Sequence, residues 1–215
     1  MLFQTTQAHE ELRTKIRAFA EEEVKPIAFS LDQANEFPAE AVKKLGEMGL
    51  MGITYPKEYG GAGLDAISYA IAVEELSRVD GGTGVILSAH VSLGSWPIFA
   101  FGTEEQKQKY LVPLAKGEKI GAFGLTEPNA GSDAGGTETT AVDKGDHWLL
   151  NGGKIFITNA QGGHLCGLCR HHPRHRHPGH LRLHCGEGLE GLRVRRPLRQ
   201  DGHPLLLHRR ADLQR

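Results

Sequence analysis

The residues best able to do chemistry lie in two runs. One is Gly121-Ala122-Phe123-Gly124-Leu125-Thr126-Glu127-Pro128-Asn129-Ala130-Gly131-Ser132-Asp133; the other is Lys154-Ile155-Phe156-Ile157-Thr158-Asn159. The first half of the earlier run reads as a short strand. Turn formers from Thr126 to Asp133 then break it into a loop. Such a loop gathers several backbone N–H groups and the hydroxyls of Thr126 and Ser132 on one small surface. A polar ring edge or a diphosphate needs that many donors and that close a backbone approach. An ordinary hairpin connection uses the same residue types, so the run alone leaves a ligand loop and a plain turn equally open.

These runs must be held by what precedes them. Thr5 or Thr6 can cap a helix whose stripe is Leu12, Ile16, Phe19, Ala20 and Val24, and Pro26 is expected to bend or end it. Pro38 stands in the first turn of a second helix with Ala41, Val42, Leu45 and Met48 on one face. Gly49 suits its C-terminal cap. Residues 58–63 form a Gly-rich loop. Asp65 caps a third helix through Tyr69, Val73 and Leu76, ending near Gly81-Gly82. Residues 85–101 are apolar nearly all round, the pattern of a helix buried within a bundle. Thr103-Glu104-Glu105-Gln106 is a capping box, worth about 1 kcal/mol, for a short fifth helix.

After Lys119 the apolar period becomes an alternation. Residues 120–125, 137–142, 147–151 and 154–158 read as strands, with Lys144-Gly145-Asp146 closing a hairpin. Helices followed by antiparallel strands make an α+β chain.

The composition averages two unlike parts. The 215 residues carry a net charge of −1, with no basic bias toward nucleic acid. Residues 162–215 hold nine of the twelve His, all three Cys and eleven Arg, with no Lys, aromatic residue (Phe, Tyr, Trp), Ile, Ser, Thr, Asn or Met. With His neutral that tail is +7, and the first 161 residues are −8. No run of 18 apolar residues and no basic-then-apolar leader is present, so a cytoplasmic protein with no membrane partner is expected. No Cys precedes Cys166, so disulfides play no part in the main fold.

Several segments, taken in order, resemble the acyl-CoA dehydrogenase family, and within it the short-chain (butyryl-CoA) branch. They are Phe19-Ala20-Glu21 with Val24-Lys25-Pro26, Glu58-Tyr59-Gly60-Gly61-Ala62-Gly63, Val73-Glu74-Glu75-Leu76-Ser77-Arg78, Ile86-Leu87-Ser88-Ala89-His90 and Phe101-Gly102-Thr103-Glu104, followed by the two runs above. The resemblance implies a helical N-terminal domain over residues 1–119. Over 120–161 it implies the first, flavin-binding strands of an incomplete antiparallel β-barrel. It further implies FAD as cofactor, acyl-CoA as substrate, an electron-transfer flavoprotein as partner, and a homotetramer for the full-length parent.

By position, the flavin contacts implied are Phe123, Leu125, Thr126, Gly131, Ser132, Phe156, Ile157 and Thr158. Ser132, Ser88 and Ala89 are implied on the substrate. Apart from the resemblance, Phe156 reads as a barrel-core aromatic, Ser88 and Ala89 as small residues that let helices pack closely, and His90 as a core histidine. The family's reaction needs a carboxylate base within hydrogen-bond reach of the substrate α-carbon. In the short- and medium-chain relatives it is a Glu of a C-terminal helical domain that this chain is expected to lack. No catalytic residue is therefore assigned. Glu127 and Asp133 read as caps of turns.

The tail, 162–215, is foreign to this pattern. Cys166-x-x-Cys169 with His171, His172, His175, His177 and Cys185 offers ligand types suited to zinc. No hydrophobic period surrounds them, and no metal site is assigned. A one-base displacement accounts for more. With synonymous codons chosen to suit, residues 162–169 read one base later give Ala-Asp-Thr-Tyr-Val-Val-Phe-Ala. Residues 183–188 give Phe-Ile-Val-Glu-Lys-Gly, and 200–206 give Lys-Met-Gly-Ile-Arg-Ser-Ser. All three are segments of the family, in order. The expectation is a frameshift near Gln161 and a tail without a core pattern, hence poorly ordered. Two alternatives stay open: a non-catalytic flavin- or partner-binding module with a metal-binding tail, and a relative such as an acyl-CoA oxidase.

Overall fold

The computed structural model describes residues 4–144 and 148–160. Within the tail it describes the backbone of Gly163–His171, Gly179–Cys185, Arg193–Val194 and Arg209–Arg210. The chain forms two units, Met1–Ile120 and Gly121–Arg215.

The first unit is helical. Helix α1 (Gln7–Phe19) starts at Thr6, whose hydroxyl accepts the His9 N–H while the His9 ring accepts the Thr6 N–H. This is a capping box with His where Glu or Gln is usual. Nδ1 is thereby an acceptor, so Nε2 carries the proton and donates to the Asp65 carboxylate at 3.0 Å. Asp65 in turn caps α4 (Ala66–Ser77), accepting from the Ser68 N–H at 2.8 Å. One imidazole thus joins two helix N-termini.

Pro26 does not end its helix. The turn before it, Ala20–Val24, widens to an i→i+5 spacing, and α2 (Lys25–Ala34) continues with Pro26 in its first turn. Asn35, at φ +55°, stops α2. The device recurs. A wide turn at Ala89–Ser95 precedes Pro97 of α6 (Trp96–Phe101), and another at Lys107–Leu111 precedes Pro113 of α8 (Val112–Ala115). Proline lacks the N–H for an i→i−4 bond and crowds that carbonyl; a wide turn removes the conflict while the helix goes on.

Helix α3 (Ala39–Glu47) buries Ala41, Val42 and Leu45 as its periodicity predicts, and α7 (Glu104–Gln106) starts on the expected Thr103–Gln106 box. The core is built on Ile16, Leu45, Met51, Ile53, Leu76, Leu87, Leu111 and Leu114, all fully buried. Each side chain contributes roughly 1.5–3 kcal/mol over its exposed state. In the loop after Ile53, Gly60 adopts φ +81°, and a Cβ on Gly61 would fall 2.1 Å from the Tyr55 carbonyl oxygen. The two glycines there answer two different demands, a left-handed turn and a close approach.

Residues 81–101 run as one helical stretch, of which α5 (Gly81–Ser88) is the start. The expectation that it is buried all round needs correcting. Val85, Leu93, Trp96 and Phe101 are exposed. By length and composition Gly81–Phe101 is apolar enough to cross a membrane, and 56% of its most apolar window is buried within the structure. His90 lies in that buried part, its Nε2 3.1 Å from the Leu114 carbonyl oxygen, and burial pushes its imidazole down to about 4. It is a neutral core histidine.

The second unit carries β1 (Ile120–Gly124), β2 (Thr140–Asp143), β3 (Trp148–Asn151), β4 (Gly153–Lys154), β5 (Gly163–His171), β6 (Gly179–Cys185), β7 (Arg193–Val194) and β8 (Arg209–Arg210). One sheet has the order β1-β5-β2-β3 with β6 on β5, and the other β4-β8-β7. Strands β2 and β3 pair antiparallel, Thr140 opposite Asn151, as the hairpin reading requires; Gly145 and Asp146 of its turn lie outside the described residues. The β2–β5 contact is parallel, a departure from a wholly antiparallel set. The strand expected over 154–158 stops at Lys154. Phe156 (φ +58°) and Asn159 (φ +64°) cannot sit in a pleated strand. In the tail, where composition points to poor order, β5 and β6 pair antiparallel from Leu165–Cys185 to His171–Gly179. Ladder pairing uses backbone groups that any residue except proline carries in full.

Candidate functional site

The two chemistry-bearing runs meet in the second unit. Beyond β1 the loop closes on itself: the Glu127 N–H donates to the Ala130 carbonyl at 3.0 Å, and the Ala130 N–H returns to Glu127 at 3.2 Å. The Ile155 N–H donates to the Thr126 carbonyl at 2.8 Å, and Asn159 Nδ2 donates to the Gly121 carbonyl at 3.1 Å. Ala122, Ile157 and Ala160 form a small core between the runs.

A buried ion pair sits beneath the loop. Lys154 Nζ lies 2.6 Å from Glu127 Oε1 and also donates to the Leu125 carbonyl at 3.0 Å. The Glu127 carboxylate further accepts the N–H groups of Glu138 (2.6 Å) and Thr139 (3.1 Å). Burial pushes its carboxyl up; Lys154 and the donors from Thr139 and Glu138 outweigh that and hold it below its ordinary value. The cap reading of Glu127 is thus right in kind, since it satisfies loop amides. Its partnership with Lys154 escaped the sequence reading. The available signal was a lone lysine in an otherwise apolar alternating segment. Asp133 is exposed and opens a tight turn, accepting the Gly136 N–H on its carbonyl.

The remaining residues reach solvent to different degrees. Phe156 is 52% exposed although aromatic and held at positive φ. A Cβ on Gly131 would meet open space, and Ser132 beside it is exposed. Thr126, Thr158, Phe123 and Leu125 are half-buried. The hydroxyls of Thr126, Ser132 and Thr158 make no hydrogen bond among the described residues. Ile157 differs from the others, because its side chain points into the small core. Ser88 and Ala89 belong to the first unit. There Ser88 is half-buried with its carbonyl accepting from the Tyr69 hydroxyl (3.0 Å), and Ala89 is buried. Among the described residues no group of three or more His, Cys, Asp or Glu is placed to hold a metal; the side chains of the tail's Cys and His lie outside them.

Comparison with known proteins follows the same division. Residues 6–118 match the acyl-CoA dehydrogenase N-terminal domain and residues 122–211 the middle domain. The short-chain specific acyl-CoA dehydrogenase of Clostridium acetobutylicum is 64% identical over 159 residues, 74% of this chain and 42% of that protein. The chain therefore spans less than half the length of that curated relative. Butyryl-CoA dehydrogenase from Megasphaera elsdenii superposes with a TM-score of 0.90 at 35% identity, covering 100% of this chain and 57% of that one. An acyl-CoA dehydrogenase complexed with FAD from Bacillus anthracis gives 0.87 at 35%, covering 98% and 37%. A structure described as the electron transferring flavoprotein of Acidaminococcus fermentans gives 0.89 at 41%, covering 100% and 57%. Because the N-terminal domain match alone accounts for more than half of the residues, the chain belongs to the acyl-CoA dehydrogenase family.

Proposed function

We propose that this chain supplies the helical and flavin-binding part of an FAD-dependent short-chain acyl-CoA dehydrogenase. That enzyme removes two hydrogens from an acyl-CoA to leave the trans-2-enoyl-CoA and passes the electrons to an electron-transfer flavoprotein. The observation that carries the reading is that Thr126, Gly131, Ser132, Phe156 and Thr158 lie on two runs that hydrogen bonds hold together. They combine an exposed aromatic, open space at a glycine, and three hydroxyls without a partner among the described residues. A flat ring rimmed with donors and acceptors needs an apolar surface and a few convergent polar groups, and these residues fit it.

Main-chain and hydroxyl groups of residues 123–132 hold the flavin ring, Phe156 packs beside it and Thr158 bonds its edge. Ile157 serves by anchoring that segment in the core. Ser132 also meets the acyl-CoA, and Ser88 and Ala89 line the acyl chain. The flavin, when bound, supplies the two-electron acceptor; the protein orients it. The base that takes the α-proton belongs to the part of the relatives that this chain does not span. Glu127 is committed to Lys154 and two amides, which supports leaving it out of that role. The full-length parent is read as a cytoplasmic homotetramer.

The tail is read as a translation displaced by one base near Gln161. The C. acetobutylicum match takes in 159 of the 215 residues, whereas the middle-domain match runs through the tail to residue 211, so the reading rests on the composition of 162–215 and the family segments recovered one base away. Two tests separate the parts of this reading. DNA sequence across codons 155–170 should restore the family's text one base away; an unambiguous tail in the present frame overturns the displacement. The frame-restored protein, extended to the relatives' length, should purify with FAD that butyryl-CoA bleaches. A colourless protein that takes up no FAD overturns the flavin reading.

A further inference from the structure

The loop from Thr126 to Asp133 is rich in turn formers, yet the Glu127 carboxylate and the Lys154 ammonium are buried as a pair at 3% and 8% exposure. Burying two charges costs more than their attraction returns unless geometry and added hydrogen bonds compensate. Here they do so in a particular way. Glu127 takes Lys154 and the N–H groups of Glu138 and Thr139 on its side chain, while its own N–H and carbonyl close the turn with Ala130. Lys154 takes the Leu125 carbonyl as well, and the next residue, Ile155, bonds Thr126. Thr126, which follows Leu125, and Phe156, which comes two residues after Lys154, are each tied to the pair through the backbone. The carboxyl is held below its ordinary value despite burial, so it is ionised at neutral pH.

We propose that Glu127 and Lys154 are positioning residues for the two ring-binding runs, setting Thr126 and Phe156 against each other before any ligand arrives. The proposal rests on the flavin reading for the identity of the ligand, but not for the mechanical role. A pair of this kind acts as a unit, so removing either partner releases the same bonds and removing both adds little.

The test uses this chain and the variants Glu127→Gln, Lys154→Met and the double substitution. Amide hydrogen exchange should rise over residues 123–132 and 154–159 in each single variant, to the same extent in the double, and stay unchanged within Met1–Ile120. Titration with FAD should show binding weakened about tenfold or more in each variant. The induced visible circular dichroism of the bound flavin should fall with it, in protein whose far-ultraviolet spectrum matches the parent. Unchanged exchange in the two segments overturns the proposal. So does FAD affinity within about threefold of the parent in a variant whose exchange has risen. Should the unsubstituted chain bind no FAD while exchange rises as expected, the positioning role stands and the flavin reading of this chain falls.

Discussion

At the scale of single residues the first unit is held by an acid that the sequence places on a helix face. Glu75 is 1% exposed and accepts from Arg13 Nη1 at 2.9 Å and from Arg17 Nε and Nη2 at 2.8 Å. The Arg17 hydrogen bonds are the largest cause that draws its carboxyl from 4.5 down to about 2, against the opposing push of burial. Its folded value lies below its unfolded value. The contribution to stability is therefore complete above about pH 4.5 and is lost as pH falls toward 2. Glu75→Ala leaves Arg17 to solvent and Arg13 to Glu74 and Glu10, and should show as a lower urea midpoint at pH 7. The same variant should show a flatter dependence of the midpoint on pH below 4.5. Phe156 calls for the opposite pattern. Half-exposed, it gives little to folding, so Phe156→Ala should leave the melting temperature within a few degrees while weakening FAD binding about tenfold in a fluorescence titration. A loss of folding with no loss of affinity would return Phe156 to a core role.

At the scale of elements, caps and prolines decide where helices begin and how they continue. The Thr6–His9–Asp65–Ser68 chain of hydrogen bonds makes the starts of α1 and α4 depend on each other. Asp65→Ala should cost about 1–2 kcal/mol, the value of a lost N-cap, by chemical denaturation. Combined with His9→Ala it should cost less than the sum of the two singles, because both remove one shared bond. Additive losses would show two independent caps. The three wide turns before Pro26, Pro97 and Pro113 make the complementary point. Proline in a sequence marks a backbone conflict, and the packing of the unit determines whether it ends a helix or is absorbed in one.

At the scale of the whole chain, the two units differ in how much sequence supports them. The first has a continuous apolar core, and the second is described mainly around β1 to β4 and the loop. The chain spans 42% of the C. acetobutylicum enzyme's length. We expect it to bind no turnover machinery of its own: mixed with excess FAD and butyryl-CoA, it should not bleach a bound flavin spectrum. Bleaching would show that a base lies within these 215 residues.

The amino-acid order by itself determined the helical character of residues 1–119, a first cap at Thr5 or Thr6, the caps at Asp65 and Thr103, the change to strands after Lys119, and the pair of runs that form the candidate site. Those features depend on local periodicity and on hydrogen bonds between near neighbours, which a linear text displays. Only the tertiary structure decided the rest. It placed Lys154 on Glu127, 27 residues away, turned Phe156 outward at positive φ where an alternating pattern promised a strand, and left one side of residues 81–101 uncovered. Each of these depends on which distant group arrives beside a residue, and the cost of a buried charge or a left-handed aromatic is met only after that neighbour is in place.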